Sequence, residues 1–337
     1  MATLRDIAKL SNVSLGTASR VLSHDVTFKT TQETKEKIYA AAKELNYTFV
    51  GKPKKAVQYT IGCILAVTSE KYSDPFFTSI LSSAEEEGIK YGMQITTIRN
   101  YNELKDPEVL KKICKQKLDG LIIMEDLPEE ILTVLSKNIK HFVGIDPYQF
   151  CFNNVGLDHI DATFQVMDHL LNQGCKRIAY IGGGSSCSGI QNTKRMMAYR
   201  EALLRANIPY DSTIIKDCNW DIDECAKCVD DLLNMENKPD AIFAGSDTLA
   251  SVILGKLYEY KISCPKDIAV IGFNNLPTAA HLVPPLTSIE VPTKEIGKLA
   301  MKRLHELIIT KDDLLTNISL PTKLIIREST NHMEKNI

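Results

Sequence analysis

The spacing of hydrophobic residues divides the chain into two regions. Over the first sixty residues, hydrophobic positions recur at intervals of three and four, the spacing that places side chains on one face of an α-helix. From residue 60 onward, short apolar runs such as "TIGCILAV", "LDGLIIM" and "IAVIGFNN" alternate with longer amphipathic stretches. Near-continuous apolar strands separated by helices predict parallel sheets covered on both faces, and hence an α/β fold.

Three short helices are predicted in the first region. Thr3 can cap the first helix, with Asp6 as the acid of a capping box. After a tight turn, Ser14 can cap a second helix that runs to about Leu22, and a third extends from residue 30 or 31 to Leu45. Helix, tight turn, helix and a third packing helix is the helix-turn-helix plan.

The second helix carries an unusual residue near its start. Gly16 costs about 1 kcal/mol relative to alanine in a helix interior. It lies on the outer face with Leu15, Ser19 and Arg20. Arginine can reach guanine in the major groove, leucine can touch a thymine methyl, and a residue without a Cβ lets the helix approach the base edges closely. This face predicts DNA recognition; the alternative is a plain three-helix bundle at the surface.

The distribution of charge agrees with a DNA-binding region. Residues 1–60 contain ten Lys and Arg against five Asp and Glu, a net charge of +5, and the remaining 30 basic and 37 acidic residues give −7. A basic head on an acidic body is typical of a module that binds a polyanion. The 337-residue length predicts two or three domains, no apolar run is long enough to span a bilayer, and "MATLRDIAKL" is not a secretory signal. We expect a cytoplasmic protein with no membrane partner.

The nine cysteines have no spacing typical of a disulfide framework, which fits a reducing compartment. Cys225 and Cys228 form a CxxC pair, but no second pair or histidine pair follows that would complete a zinc site. Cys225, Val229, Leu232 and Leu233 fit one apolar helix face instead, with metal or redox use as the alternative. We assign no residue to a metal or to a cofactor.

Polar and aromatic side chains follow several of the predicted strands. Ligands of doubly wound sheets bind beyond the carboxyl ends of the strands. The residues at or shortly after those ends are Phe76, Phe77, Asp146, Arg195, Trp220, Ser246, Asp247, Asn274 and Asn275. Carboxylate, amide, hydroxyl and guanidinium groups beside aromatic faces suit a small polyol or sugar. Each residue alone has a structural alternative, because strand-end polar residues often cap the next helix and tryptophan is usually buried.

The glycine-rich segment "IGGGSSCSG" fits no nucleotide-binding or hydrolase motif. It lacks the GK[ST] of a phosphate loop, Cys187 stands where GxGxxG requires its third glycine, and GxSxG is absent. We predict a tight strand-to-helix turn there, no catalytic residues and no enzymatic function. A transport receptor with the same body fold would need a secretory signal and no DNA-binding head, and it fails on both counts.

The N-terminal sequence resembles the DNA-binding head of the lactose-repressor/galactose-repressor family of bacterial transcriptional regulators. The segments that carry the resemblance are "TLRDIAKLSNVSLGTASRVL" and "TKEKIYAAAKELNY". It implies that Leu15, Gly16 and Arg20 occupy base-reading positions and that Thr17, Ser19 and Asn46 lie near phosphates. The full set of predicted DNA-binding residues is Thr3, Ser14, Leu15, Gly16, Thr17, Ser19, Arg20, Asn46, Lys52, Lys54 and Lys55.

The linker "TFVGKPKKAVQYT" departs from the family pattern. Family members usually carry a short hinge helix there, whose leucine wedges into the minor groove and kinks the duplex. Gly51 and Pro53 disfavour a helix and no leucine is present, whereas Lys52, Lys54 and Lys55 can hold phosphates. We therefore expect operator binding to bend DNA little.

The remaining chain resembles the effector domain of the same family, which has the fold of periplasmic sugar-binding proteins. The segments that carry the resemblance are "GCKRIAYIGG", "KPDAIFAGSDTLASVILGKLYEYKISCPKDIAVIGFNN" and "PPLTSIEVP". It implies that the residues around the effector are Phe76, Phe77, Asp146, Arg195, Trp220, Ser246 and Asn274. Asn274 replaces an aspartate that many relatives use, and Thr293 stands where the lactose repressor has an aromatic residue. The segments "SDTLA" and "NNLPTA" are similar to regulators of β-galactoside use.

The predicted architecture is a three-helix helix-turn-helix head followed by a periplasmic-binding-protein-like α/β body of two doubly wound parallel-sheet subdomains. The predicted domains are residues 1–46 for DNA binding, 47–59 for the hinge, and 60–337 for effector binding and dimerisation. We expect the chain to cross between the subdomains near residues 159, 290 and 320.

The predicted function is a transcriptional repressor whose affinity for operator DNA is controlled by a small sugar, a galactoside or a related sugar. The alternative within the family is a nucleobase-type or other corepressor. The expected partners are operator DNA, the small effector and a second copy of the chain in a homodimer. Because "TNHMEKNI" has no leucine heptads, we expect no tetramer.

Overall fold

The computed structural model describes residues 3–22, 30–45, 47, 59–66, 74–147, 152–185, 187–310 and 314–331. The chain forms two units, Met1–Val57 and Gln58–Ile337, named here the head and the body. The predicted phosphate contacts Asn46, Lys52, Lys54 and Lys55 lie outside the described residues, as does most of the predicted hinge. Among the residues described, no helix is long and apolar enough to cross a membrane.

The described part of the head contains α1 (Leu4–Leu10), α2 (Leu15–Leu22) and α3 (Gln32–Glu44). The predicted capping box is present, since the Asp6 amide donates to the Thr3 hydroxyl and the Thr3 amide donates to the Asp6 carboxylate. Asn12 makes the tight turn with φ +52°, and the Thr17 amide donates to the Ser14 hydroxyl at 3.1 Å. These local bonds confirm the predicted helix-turn-helix.

The core of the head is built from short side chains on all three helices. Its buried residues are Ile7, Ala8, Ala18, Val21, Ile38, Ala41 and Ala42. Gly16 takes no part in this packing, because a Cβ built there would contact only the Ser14 Oγ, at 3.8 Å. The fold of the head therefore does not require glycine at this position.

The described part of the body contains two six-stranded sheets. The strands of the first are β1 (Tyr59–Leu65), β2 (Met93–Asn100), β3 (Gly120–Met124), β4 (Phe142–Ile145), β5 (Asn153–Leu157) and β11 (Asn317–Leu320). The strands of the second are β6 (Ile178–Gly182), β7 (Ile215–Asp217), β8 (Ala241–Ala244), β9 (Ala269–Asn274), β10 (Thr287–Glu290) and β12 (Lys323–Ile325). Their orders are β11-β5-β4-β3-β1-β2 and β12-β10-β9-β8-β6-β7, and every neighbouring pair is parallel except β10 with β12.

Helices cover both faces of these sheets. They are α4 (Pro75–Lys90), α5 (Tyr101–Leu104), α6 (Pro107–Lys115), α7 (Glu129–Ser136), α8 (His159–Asn172), α9 (Lys194–Arg205), α10 (Ile222–Leu233), α11 (Asp247–Glu259) and α12 (Thr293–Thr310). The strands β3, β5, β6 and β8 are buried along their whole length, as expected for parallel strands between two helical layers. On α10, the apolar face predicted from Cys225, Val229, Leu232 and Leu233 is buried, which confirms it.

Three strands are not predicted by the hydrophobic pattern: β5, β7 and β11. β5 begins with the buried residues Asn153 and Asn154, and the Asn153 Oδ1 accepts from the Arg303 Nε and from the Thr316 amide, each at 3.0 Å. β7 has three residues, and β11 is an edge strand with no buried residue. Polar residues whose partners lie about 150 positions away carry no local strand signal.

The chain passes between the two sheets after β5, after β10, and between β11 and β12. In each sheet the strand order reverses beside its first strand, at β1 in one sheet and at β6 in the other. Open α/β sheets bind ligands outside the carboxyl ends of the strands at such switch points. The topology therefore predicts a ligand site at the carboxyl ends of the strands.

Candidate functional site

A cavity of about 530 Å³ lies at the carboxyl ends of strands from both sheets. Its walls include residues that follow β3 and β4 in the first sheet and β6, β7, β8 and β9 in the second. All seven residues predicted around the effector line it: Phe76, Phe77, Asp146, Arg195, Trp220, Ser246 and Asn274. The fold thus brings together side chains that are far apart in the sequence.

The backbone around this cavity adopts an uncommon conformation. Among the described residues, nine non-glycine residues have positive φ, and four of them line the cavity: Glu125, Asp146, Trp220 and Asn274. A bulky residue such as Trp220, with φ +64°, is an outlier in this region, and such conformations cost on the order of 1–3 kcal/mol. Strain of this kind concentrates at functional sites, because the surrounding structure must hold it in place.

Trp220 forms a fixed wall of the cavity. Its Nε1 donates to the Gly184 carbonyl oxygen at 2.8 Å. The ring lies against the backbone of Gly183 and Gly245, where a Cβ would come within 2.6 Å and 2.9 Å of ring atoms. Any larger residue at these two positions would displace the indole. With its nitrogen bonded, the half-buried ring presents apolar surface to the cavity.

A chain of polar contacts crosses the cavity from one sheet to the other. The Arg195 Nη1 donates to the Gly245 carbonyl oxygen at 2.7 Å, and its Nε donates to the His159 Nδ1 at 3.3 Å. Because a guanidinium can only donate, the Nδ1 accepts and neutral His159 carries its proton on Nε2. That nitrogen lies 3.6 Å from the Asp146 Oδ1. The guanidinium also lies 3.7 Å from the centre of the Phe273 ring, which fixes its orientation.

A second contact across the cavity joins Asp74 to Thr248. Asp74 caps α4, with its Oδ1 accepting from the Phe76 amide at 2.9 Å, and its Oδ2 accepts from the Thr248 hydroxyl at 3.0 Å. The same carboxylate therefore orients the start of α4 and ties it to α11 of the other subdomain. Phe76 and Phe77 meet edge to face at 5.1 Å, and Phe77 is 3% exposed, so its ring belongs largely to the core.

Ser246 follows β8 and Asn274 ends β9, both in the second sheet. The Ser246 hydroxyl accepts from the Leu249 amide at 3.2 Å, so this residue serves as the N-cap of α11. As a hydroxyl it retains one proton to donate. Asn274 is half-buried with φ +108°.

Asp247 supports the loop that carries Asn274 from behind. It is 2% exposed, its Oδ1 accepts from the Ser288 Oγ at 2.6 Å, and its Oδ2 accepts from the Leu276 amide at 2.6 Å. Burial raises the pKa of this carboxyl to about 7, although both hydrogen bonds act in the opposite direction. Asp247 does not line the cavity and acts through the residues that do.

In the head, α2 presents a mixed face to its surroundings. Leu15, Gly16 and Arg20 are exposed, and Leu15 is a large apolar side chain with 44% of its surface open. Thr3 and Ser14 are exposed too, but their hydroxyls serve as helix caps. The other predicted DNA contacts on this helix, Thr17 and Ser19, are half-buried.

The cavity residues that are not predicted from the sequence include Asp74, Glu125, His159 and Thr248. Glu125 directly follows the strand segment "GLIIM", so the expectation that ligand-binding residues follow strand ends would have identified it. Asp74 stands in "SDP", a typical N-cap before a proline at the first helical position, and that pattern would have identified it. His159 follows β5, and because that strand is not predicted, no local signal marks this residue.

Two known families match the chain. Residues 3–48 match the family described as bacterial regulatory proteins, lacI family. Residues 167–330 match the family described as a periplasmic binding protein-like domain. These two regions contain α1 to α3 of the head and all six strands of the second sheet of the body, together with β11 of the first sheet.

Relatives of the same length are transcriptional repressors. The HTH-type transcriptional repressor MelR of Bacillus subtilis (strain 168) is 27% identical over 355 residues, covering 100% of both chains. The HTH-type transcriptional repressor PurR of Aliivibrio fischeri (strain MJ11) is 27% identical over 336 residues, covering 98% of both.

Solved structures show the same fold. A transcriptional regulator CelR–cellobiose complex superposes with a TM-score of 0.73 at 25% identity, covering 98% of this chain and 100% of that one. The lac repressor dimer bound to operator and the anti-inducer ONPF superposes with a TM-score of 0.71 at 22% identity, covering 98% and 99%. The members of this family are transcriptional regulators and not enzymes. The chain therefore belongs to the lacI family of bacterial regulatory proteins, as a DNA-binding transcriptional repressor with a periplasmic-binding-protein-like body.

Proposed function

We propose that the chain is a homodimeric repressor that binds a near-palindromic operator through residues 1–46. A single head reads few base pairs, and paired heads bind half-sites about one helical turn apart. Residues 60–337 sense a small neutral sugar, a galactoside or a related sugar, which controls the affinity for the operator. The observation that carries the sugar assignment is the convergence of an aromatic wall, a guanidinium, a carboxylate and an amide on one cavity.

The DNA contact is proposed to centre on the exposed face of α2. Arg20 would read a guanine through its O6 and N7 acceptors, and Leu15 with Gly16 would set the identity of the operator. The environment of Gly16 supports this assignment, because its internal packing leaves room for a Cβ and the reason for glycine then lies outside the head. In the linker, Lys52, Lys54 and Lys55 would hold phosphates without kinking the duplex.

The chemistry of the cavity suits a pyranose. The indole of Trp220 can stack on the apolar face of a sugar ring, while Asp146 accepts and Arg195 donates hydrogen bonds to its hydroxyls. Asn274 can do both. The relative CelR, solved as a complex with cellobiose, supports a sugar effector.

Control of the operator requires that the sugar favour one arrangement of the two subdomains over another, since a ligand shifts an equilibrium only by its differential affinity. Two contacts already join the subdomains across the cavity: Asp74 with Thr248, and Asp146 with His159. A sugar bonded to Asp146 and Arg195 would act on the second of these directly.

A nucleobase corepressor is the second candidate. The rings of Phe76 and Trp220 line the cavity, and a planar base could stack on either of them. Asp146 and Asn274 could bond its edge, and PurR repressors are among the relatives. This alternative predicts binding of a purine in the absence of any sugar response.

The test is a ligand panel read by thermal shift and by the emission of Trp220, which is the only tryptophan in the sequence. The panel contains galactose, lactose, glucose, cellobiose, hypoxanthine and guanine. We expect a sugar to raise the melting temperature, because a ligand that binds the folded state stabilises it by RT ln(1 + [L]/Kd). The same sugar should shift the emission saturably as the site fills. The variant Arg195→Ala should lose both responses without unfolding. The matched control, Arg205→Ala, lies on the same helix with an exposed side chain and should keep them.

Two outcomes would overturn part of this proposal, one the sugar as effector and the other the cavity as its site. A purine that saturates while every sugar fails would favour the corepressor. A sugar that releases the operator without changing the emission of Trp220 would show that the effector binds elsewhere. Sedimentation at micromolar concentration tests the assembly: we expect a dimer, and a stable monomer or a tetramer would contradict the proposal.

A further inference from the structure

His159 occupies the point where the chain passes from the first sheet to the second. It is the first residue of α8 and follows β5 after a single intervening residue. Its ring lines the cavity, and 18% of the side chain is exposed, which leaves it open to protons from solvent. We propose that His159 is a positioning residue for the effector: the neutral ring aligns the Arg195 guanidinium, and protonation of the ring releases it, so that effector affinity falls in mildly acidic solution. This inference rests on the proposed sensing function and adds a residue and a pH dependence to it.

The neutral ring of His159 helps to orient the Arg195 guanidinium. The Arg195 Nε donates to the His159 Nδ1 at 3.3 Å, and the Arg195 Cζ lies 3.7 Å from the centre of the Phe273 ring. The His159 ring is nearly parallel to the same phenyl ring, at 16° with 6.3 Å between the centres. The third contact of the guanidinium is the bond from its Nη1 to the Gly245 carbonyl oxygen. Of these three contacts, the bond to His159 is the one that depends on the position of a proton.

Protonation of His159 removes the acceptor of that bond. Both ring nitrogens of a histidine cation are donors, so the Nδ1 can no longer accept from Arg195, and two cations then stand side by side. On the other side of the ring, the Nε2 lies 3.6 Å from the Asp146 Oδ1, which is longer than a hydrogen bond. That oxygen also accepts from the Leu157 amide at 2.9 Å, which holds Asp146 to its own sheet. Because a charge-assisted bond is shorter, about 2.7–2.9 Å, the cation should draw the ring toward Asp146 and away from Arg195.

Charged groups of both signs surround His159. Asp146 faces it from the position after β4, and Arg195 faces it from α9. On its own helix, the neighbouring acids are Asp158, which is the N-cap of α8, and Asp161 in the first turn. The further titratable side chains that line the cavity are Asp74, Glu125, Asp126, Tyr180, Lys194 and Asp221. Among these residue types, histidine is the one whose charge ordinarily changes between about pH 5 and pH 8, and the experiment therefore covers that range.

The variant that tests the role of the proton is His159→Gln. A glutamine amide offers an acceptor to Arg195 and a donor to Asp146, as the neutral imidazole does, but it does not titrate. Affinities for galactose, lactose, glucose and cellobiose are measured by isothermal titration on the full chain, from about pH 5.5 to about pH 8. A single competing proton weakens binding by up to about tenfold per pH unit, so a sugar that binds should bind wild type at least about tenfold more weakly at about pH 5.5 than at about pH 7.5. In His159→Gln, the affinity should stay within about threefold of wild type at about pH 7.5 and change less than about twofold over the range.

Two further variants separate positioning of Arg195 from packing. His159→Leu removes both polar atoms of the ring and should weaken sugar binding about tenfold at about pH 7.5, with no further loss in acid. The control His281→Gln changes an exposed histidine outside the cavity and should keep the wild-type pH profile. Titrations in two buffers of different ionisation enthalpy count the protons exchanged on binding. At about pH 6, sugar binding should release protons from wild type and from His281→Gln, but not from His159→Gln.

The outcomes separate this inference from the function on which it rests. If a sugar binds through Arg195 with an affinity that does not change with pH, sugar sensing stands and the inference about His159 is wrong. A loss of affinity in acid that persists in His159→Gln would also overturn it, and if that loss disappears in Asp247→Asn, the buried carboxyl is its cause. A His159→Leu variant that binds as tightly as wild type at neutral pH would show that the ring does not position Arg195. If every sugar fails while hypoxanthine or guanine binds, the proposed sugar is wrong, and the inference fails too unless that purine shows the same loss in wild type and not in His159→Gln.

Discussion

The head and the body place their functional side chains by different means. In the head, Leu15, Gly16 and Arg20 project from one regular helix whose start is fixed by a capping bond between neighbours, from the Thr17 amide to Ser14. In the body, some cavity residues, such as Asp146 and Trp220, sit on left-handed backbone after strands. Others are oriented by partners far away in the sequence, such as Arg195, which donates to the Gly245 carbonyl oxygen. The head thus positions its side chains through bonds between sequence neighbours, whereas the cavity depends on contacts made by the tertiary fold.

Two glycines show what this difference means. Gly16 in α2 has open space around it, so the absence of a side chain there has no internal cause. Gly183 lies under the Trp220 ring, where a Cβ would come within 2.6 Å of it. We therefore expect the glycine at position 16 to serve the approach of DNA, whereas the glycine at position 183 makes room for the indole within the site. Substitutions in both regions can test that distinction.

The largest effect is expected for the buried carboxylate that supports the cavity from behind. Because the pKa of Asp247 is raised to about 7 by burial, the folded state holds its proton over a pH range in which the unfolded state has lost it. The free energy of unfolding should therefore fall as the pH rises from about 4 to about 7, by roughly 1.4 kcal/mol for each pH unit between the unfolded and the folded pKa, and level off above. The variant Asp247→Asn can accept from the Leu276 amide and donate to Ser288, so it should lose this slope.

The measurement is urea unfolding followed by Trp220 emission between pH 4 and pH 8. Asp231→Asn, a change at an exposed aspartate on α10, is the control and should keep the wild-type slope. If the pH dependence of the unfolding free energy persisted in Asp247→Asn, another titrating group would be its cause, and the raised pKa assigned to Asp247 would be wrong.

In the head, Arg20→Ala should cost about 1–3 kcal/mol on the specific operator and much less on other DNA. The reason is the loss of a bidentate contact to one guanine, with little change in packing because Arg20 is exposed. Arg5→Ala removes the same charge from an exposed position on α1 and should weaken all DNA equally. Selection on random DNA checks both; a site unchanged in wild type, Arg20→Ala and Gly16→Gln would contradict the assignment of the reading face.

The same contrast explains what could be predicted from the sequence. The helix-turn-helix and the strand ends at Asp146, Ser246 and Asn274 follow from local patterns: caps, periodicity and apolar runs. His159 could not be found this way, because it follows a strand whose first residues are asparagines bonded to distant partners. The position of the Trp220 indole likewise depends on its bond to the Gly184 carbonyl oxygen, 36 positions away, which no local pattern predicts.

Within the cavity, Gly183→Ala should lower effector affinity by about tenfold, or roughly 1.4 kcal/mol. The added methyl group must push the indole of Trp220 away from its position, since it would come within 2.6 Å of the ring. Gly255→Ala is the control: this exposed glycine on α11 does not line the cavity, and a Cβ there would contact nothing within 4 Å. Titration of the responding sugar with Trp220 emission measures both. Equal affinities in the two variants would mean that the indole is not part of the binding wall.

The smallest effect, and one of opposite sign, is expected for Gly16→Ala. Alanine gains up to about 1 kcal/mol of helix stability over glycine, and the added Cβ meets only the Ser14 Oγ at 3.8 Å, so the head should become slightly more stable. Slower hydrogen exchange of the α2 amides would report this gain. Affinity for the specific operator should nevertheless fall, because the methyl group holds the helix away from the base edges, while affinity for random DNA stays the same. If Gly16→Ala both stabilised the head and bound the operator as tightly as wild type, glycine at this position would have no role in recognition. The proposed difference between Gly16 and Gly183 would then be wrong for Gly16.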